Sequence, residues 1–230
     1  GLISLPAYLF AGLPIHLAYG TNKFSATCGA VVSAGRYLAG GYIRLRPAVV
    51  SAAGALVGSY LGARLVTVLD DRVLQGCLMV ILPVVAVFLL FHRNFGAGED
   101  RELPPGRLYP LAVVIGLVIG AYDGFFGPGT GTFLALAFTG LLGFSLTSAT
   151  GSAKVVNLTS NAAALAVYLA HGQVLFGVGI PAAVCGILGS FLGSTLAVRR
   201  GAKFIRPVLI GAVALLFAKL LWDFIPALFS

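Results

Sequence analysis

Of the chain's 230 residues, 59% are hydrophobic and only 10% are charged, and the mean hydropathy is +1.00. A usual soluble domain is about a quarter charged, and a single globular core on so short a chain cannot hide this much apolar surface. A soluble enzyme, a nucleic-acid binder and a disulfide-built secreted module are excluded, and the net charge of +8 reads as loop Lys and Arg that set membrane topology.

In chain order, a short apolar piece, Gly1–Ala18, is followed by a predicted span over Lys23–Tyr42, although it carries Lys23 and Arg36. Further spans are predicted at Pro47–Leu69 and Val73–Phe91. His92–Arg107 is the only extended hydrophilic stretch, and it divides the chain. Beyond it come a span at Leu108–Phe126, a Gly/Pro break at Gly127–Gly131 and a second short apolar piece, Gly131–Ser145. Thr150–Ala170, Val174–Val198 and Pro207–Ile225 complete the set. Val155–Val198 contains no charged residue and must cross twice, because a span needs roughly 20 apolar residues. The three cysteines (Cys28, Cys77, Cys185) and three histidines (His16, His92, His171) are scattered without ligand spacing, so no metal or other cofactor is implied.

The two sides of the hydrophilic stretch repeat. An offset of 131 residues places Gly20-Thr21-Asn22-Lys23 on Gly151-Ser152-Ala153-Lys154 without a gap. It also places Tyr37-Leu38-Ala39 on Tyr168-Leu169-Ala170, and Gly58-Ser59-Tyr60-Leu61-Gly62 on Gly189-Ser190-Phe191-Leu192-Gly193. Gly1 falls on Thr132, so the repeat predicts one further span before Gly1, absent from this chain.

Basic-residue placement chooses between parallel and inverted halves. Four crossings per unit would put Arg44, Arg46, Arg93, Arg101 and Arg107 on one side and Arg72, Arg199, Arg200, Lys203 and Arg206 on the other, with no bias. If Leu108–Ser145 instead enters and returns as a broken hairpin, only Arg72 faces away from the rest. The expected fold is therefore all-α: a polytopic inner-membrane protein of two inverted repeats, each a broken hairpin followed by three spans. Residues 1–91 form the first repeat, N-terminally incomplete, 92–107 the hydrophilic loop and 108–230 the second repeat.

The segment Ala121-Tyr122-Asp123-Gly124-Phe125-Phe126-Gly127-Pro128-Gly129-Thr130-Gly131-Thr132-Phe133 is the richest in special residues. It resembles the signature of the TauE/SafE family of sulfite and organosulfonate transporters, in which an Asp precedes a Gly/Pro-rich hairpin break. The Gly-rich start at Gly1–Pro6, the segments Gly20–Lys23 and Gly151–Lys154, and the duplication extend the resemblance over essentially the whole chain. It implies transport of small sulfur oxyanions and related acids, with no enzymatic cofactor.

The residues themselves point the same way. A break at Gly127–Gly131 leaves the first N–H groups of a helix starting near Thr132 without intrahelical partners, an arrangement suited to an anion. A packing kink is the plainer reading. On a helix beginning near Thr150, Thr150, Lys154, Asn157 and Asn161 share one face. An ammonium at mid-membrane costs roughly 3 kcal/mol and needs a partner, which an anionic substrate would supply. Snorkelling of Lys154 to the headgroups is the alternative. Lys23, beside Asn22, holds the repeat-equivalent place.

Asp123 has three available roles: pairing with Lys154 or Lys23, capping the broken helix, or taking up a proton. The structural roles are favoured. The candidate substrate-binding set is Asn22, Lys23, Asp123, Gly127, Gly129, Thr130, Gly131, Thr132, Thr150, Ser152, Lys154, Asn157 and Asn161. The function expected is a secondary transporter of sulfite or an organosulfonate working by alternating access. A passive anion channel and a carrier for a small carboxylate are the alternatives, and an intramembrane enzyme lacks any grouped nucleophile and base. The expected partners are the anion and the lipid bilayer, with room for a coupling proton or cation and for a homodimer, and no nucleic acid.

Overall fold

The computed structural model describes residues 4–77, 80, 81, 84 and 103–200. The predicted span Pro207–Ile225 lies outside them, as do most of Val73–Phe91 and of the hydrophilic stretch. Among the described residues the chain is all-helical. Its main elements are α1 (Ser4–Phe10), α2 (Ile15–Ala39), α3 (Leu45–Val68), α4 (Pro105–Phe125), α5 (Thr130–Gly140), α6 (Leu146–Ala170) and α7 (Phe176–Arg200). Local chemistry sets several of the starts. Pro105 opens α4, where a missing N–H costs nothing, and the Ser145 hydroxyl accepts the Ser148 N–H at the head of α6.

Two boundaries differ from expectation because the hydropathy scan stopped at polar residues that the helices absorb. α2 begins at Ile15 rather than near Lys23, and α6 at Leu146 rather than near Thr150. Each lysine therefore sits more than two turns inside a 25-residue helix about 37 Å long. Snorkelling from a helix end loses its basis. The second short apolar piece is α5, which begins at Thr130 rather than Thr132.

The described surface is unlike a soluble protein's, with large apolar side chains exposed and several polar ones buried. Leu56, Leu61 and Leu65 of α3, Val114 and Val118 of α4, and Ile180, Leu188 and Leu192 of α7 are exposed. Asn22, Lys23, Ser59, Asp123, Thr130, Ser160 and Asn161 are buried. An apolar exterior, with a polar cluster set inside an otherwise apolar interior, suits a hydrocarbon solvent. α3, α4 and α7 are each long and apolar enough to cross a membrane.

Glycines allow the closest packing, between α3 and α4. A Cβ at Gly58 would stand 2.1 Å from the Leu117 carbonyl oxygen, and one at Gly62 2.2 Å from that of Ala121. From the other side, a Cβ at Gly124 would stand 2.1 Å from the Ser59 carbonyl oxygen. The contacts advance together along both helices, so α3 and α4 run parallel. The chain then turns back. Beyond α5, Phe144 lies 4.9 Å beneath the Arg44 guanidinium, at the end where α3 begins. α4 and α5 thus form a hairpin that starts and finishes at one end of the bundle.

At its core α2 and α6 run in opposite directions. Gly20, near the start of α2, packs against Tyr168 and Gln173 at the end of α6, whereas Gly151 packs against Tyr37 and Tyr42 at the end of α2. These contacts are reciprocal at the 131-residue offset of the sequence repeat. So are two hydrogen bonds: Arg44 N–H to Ser152 Oγ at 3.1 Å, and Leu175 N–H to Thr21 Oγ1 at 3.0 Å. Helix bounds follow the same offset, Ile15–Ala39 onto Leu146–Ala170, as do the left-handed glycines Gly41 and Gly172.

A methyl group at Gly58 or Gly124 would meet backbone that cannot yield locally. Gly58→Ala and Gly124→Ala should each destabilise the detergent-solubilised protein by about 1–3 kcal/mol. Gly35→Ala, with nothing within 4 Å, should leave the thermal midpoint unchanged or raised.

Candidate functional site

Four helices converge on one carboxylate. Asp123, one turn from the end of α4, is 1% exposed. The Lys23 ammonium of α2 lies 3.0 Å from its Oδ1 and also donates to its main-chain carbonyl. The Thr130 hydroxyl, at the first position of α5, donates within 2.8 Å of Oδ1, and the Ser160 hydroxyl of α6 donates to Oδ2. α3 joins through Ser59, whose hydroxyl donates to the Ser160 carbonyl at 2.6 Å. Of the roles open to Asp123, pairing with Lys23 is the one adopted, and its contact with Thr130 ties down the head of the broken helix.

The break itself is built by two left-handed glycines, Gly127 (φ 87°) and Gly129 (φ 84°), a conformation that side chains rarely adopt. Gly127 has a second constraint, since a Cβ there would stand 3.1 Å from the Lys23 nitrogen. At the start of α5 the Thr132 and Phe133 N–H groups fold back onto the Gly129 carbonyl, while the Gly131 N–H makes no backbone hydrogen bond among the described residues. Tyr122 braces the turn by donating its hydroxyl to the Pro128 carbonyl.

These elements surround a cavity of about 510 Å³. Of the residues singled out in the sequence, Asn22, Lys23, Asp123, Gly127, Gly129, Thr130, Gly131, Thr132, Thr150, Lys154, Asn157 and Asn161 all line it. Ser152 stands apart, because its hydroxyl accepts the Arg44 N–H and joins α6 to the start of α3. The remaining lining residues are Ser4, Ala26 and Ala135. The offset could have found Ala26, which corresponds to Asn157, but not Ser4 and Ala135, which correspond only to each other. Ser160 and Ser59 gave no such signal, since a serine in an apolar helix looks the same whether or not it reaches a carboxylate.

The two lysines differ. Lys23 is 1% exposed and held by Asp123, so its charge is already neutralised. Lys154 is half-buried against the cavity and has no hydrogen-bond or ion-pair partner among the described residues. Asn161 donates to the Asn157 carbonyl at 2.6 Å, and Asn22 accepts from Ser4 at 2.6 Å. One ammonium, several amides and hydroxyls and the head of a short helix form a site suited to a small polar anion. Among the described residues no three His, Cys, Asp or Glu gather where they could hold a metal ion.

Long apolar helices around a polar cavity define a membrane protein, and its family and relatives make it a membrane transporter rather than an enzyme. The chain belongs to the sulfite exporter TauE/SafE family, whose model matches residues 1–220. It is 35% identical over 223 residues to a "Probable membrane transporter protein" of Haemophilus influenzae, covering 97% of this chain and 87% of that one. It is 38% identical over 226 residues to "Probable membrane transporter protein YfcA" of Escherichia coli K12, covering 97% of this chain and 82% of that one. A more distant relative, "Probable membrane transporter protein YdhB" of Bacillus subtilis, is 24% identical over 222 residues, covering 93% of this chain and 90% of that one. No solved structure matches the chain.

Breaking the Lys23–Asp123 pair from one side strands a buried charge, which costs about 3–5 kcal/mol. Asp123→Ala should therefore lower the thermal midpoint sharply. The double variant Lys23→Met/Asp123→Leu should lose less than Asp123→Ala alone, which thermal unfolding in detergent would read directly.

Proposed function

We propose that this protein is a secondary transporter that moves a small oxyanion, sulfite or an organosulfonate, across the bacterial inner membrane. The observation that carries this reading is the cavity face of α6. There Lys154, Asn157 and Asn161 project into a space of about 510 Å³ opposite the head of α5. Lys154 supplies the counter-charge, the Asn amides and the Gly131 N–H hydrogen-bond the oxygens, and the Lys23–Asp123 pair holds the hairpin in place. The volume suits a small acid with some of its water. The substrate class rests on the family, described as sulfite exporters.

Movement follows from the arrangement of the halves. In this reading residues 1–91 and 108–230 are inverted repeats, each opening with a broken hairpin, and alternating access is one half rocking on the other around the central cavity. The opposite directions of the equivalent helices α2 and α6 support it. So does the hairpin course of α4 and α5. Basic residues agree too: Gly40 packs against Val198, which brings Arg199 to the end of the bundle that carries Arg44 and Arg46. Arg107 begins α4 at this same end, so it faces the cytoplasm by the positive-inside rule.

Two experiments test the proposal. Lys154→Ala in proteoliposomes should reduce sulfite or taurine transport to the level of empty vesicles while the thermal midpoint holds. Wild-type transport by that variant would remove Lys154 from the mechanism. Separately, Arg107→Cys and Arg199→Cys should react with a membrane-impermeant thiol reagent from the same, cytoplasmic side. Labelling from opposite sides would exclude inverted halves.

A further inference from the structure

At the basic end of the bundle a second cavity opens on the outer surface, and it shares no lining residue with the central one. It has a volume of about 510 Å³ and is lined by Leu45, Arg46, Val49, Val50 and Tyr109. The walls come from the first turns of α3 and α4, which run parallel, so both helix N-termini point toward this end. Leu45 is 54% exposed and Val49 57% exposed, and both lie on the exterior that faces hydrocarbon. We propose that this groove binds an anionic phospholipid, the phosphate on Arg46 and one acyl chain against Leu45, Val49 and Val50.

Charge and surroundings select this occupant. Arg46 is exposed and has no ion pair, hydrogen bond or ring contact among the described residues. Arg44, two residues away, is stacked on Phe144 instead. Arg107 is exposed at the head of α4, and the two helix N-termini add partial positive charge, so the mouth of the groove attracts an anion. Tyr109 places an amphipathic ring at the depth where membrane proteins concentrate Tyr. A soluble anion would leave the apolar walls uncovered, and a zwitterionic lipid brings its own cation, which offsets the attraction of its phosphate to Arg46. A diacyl lipid with a negative headgroup satisfies both parts.

Native mass spectrometry of the purified protein, titrated with phosphatidylglycerol or phosphatidylcholine of identical acyl chains, tests this directly. Phosphatidylglycerol should bind about fivefold more tightly, as expected for one arginine near an anionic headgroup. Arg46→Gln should abolish that preference, whereas Arg64→Gln, toward the other end of α3, should keep it. Val49→Trp, which fills the groove, should weaken both lipids. Equal binding of the two lipids by the unaltered protein, or an undiminished preference in Arg46→Gln, would overturn the proposal. Displacement of the bound lipid by millimolar inorganic phosphate would also overturn it, showing a site for a free anion. None of these outcomes depends on what the central cavity carries.

Discussion

The ion pair between Lys23 and Asp123 is the contact on which the interior depends. A lone charge inside an apolar bundle is costly, so each partner needs the other, and the carboxylate needs donors for its remaining lone pairs. Lys23, Thr130 and Ser160 supply them from α2, α5 and α6. Because Asp123 belongs to α4, satisfying one carboxylate fixes the relative position of four helices. The remaining polar groups are left to line the cavity.

Around that junction, packing is limited by backbone rather than side chains. α3 and α4 approach so closely that a single added methyl at Gly58 or Gly124 would overlap a carbonyl oxygen. With no hydrophobic driving force between helices inside a bilayer, such close contact is what holds them together. The hairpin break solves a different problem. Non-helical backbone at membrane depth is tolerated where protein or a wet cavity satisfies it. Here Tyr122 donates to the Pro128 carbonyl, and the carbonyls of Gly127 and Gly129 accept N–H groups from the head of α5, which opens onto the cavity.

The proposed transport cycle draws on both features. The close α3–α4 contact joins one half of the chain to the other, while α2 and α6, running in opposite directions, carry equivalent lysines to the middle of the bundle. The two lysines are equivalent by position and unequal by environment. Lys23 holds the structure together, and Lys154 lines the cavity with no hydrogen-bond or ion-pair partner among the described residues.

Much of this was legible in the sequence, and the physical reasons can be stated. Low charge and long apolar runs determined the membrane class, because hydrocarbon selects composition directly. The ungapped repeat determined which residues are equivalent, and the Gly/Pro string located the hairpin break, since few other residues accept that backbone. The stripe from Thr150 to Asn161 follows from helical periodicity alone. Tertiary structure alone decided that α2 and α6 start earlier than hydropathy suggests, because their polar residues face the cavity and neighbouring segments rather than lipid. It alone assigned Asp123 to Lys23 and not to Lys154, moved Ser152 from the cavity to a helix junction, and brought in Ser160. A sequence states which groups must find partners; which partner each finds depends on distances between helices that no local pattern encodes.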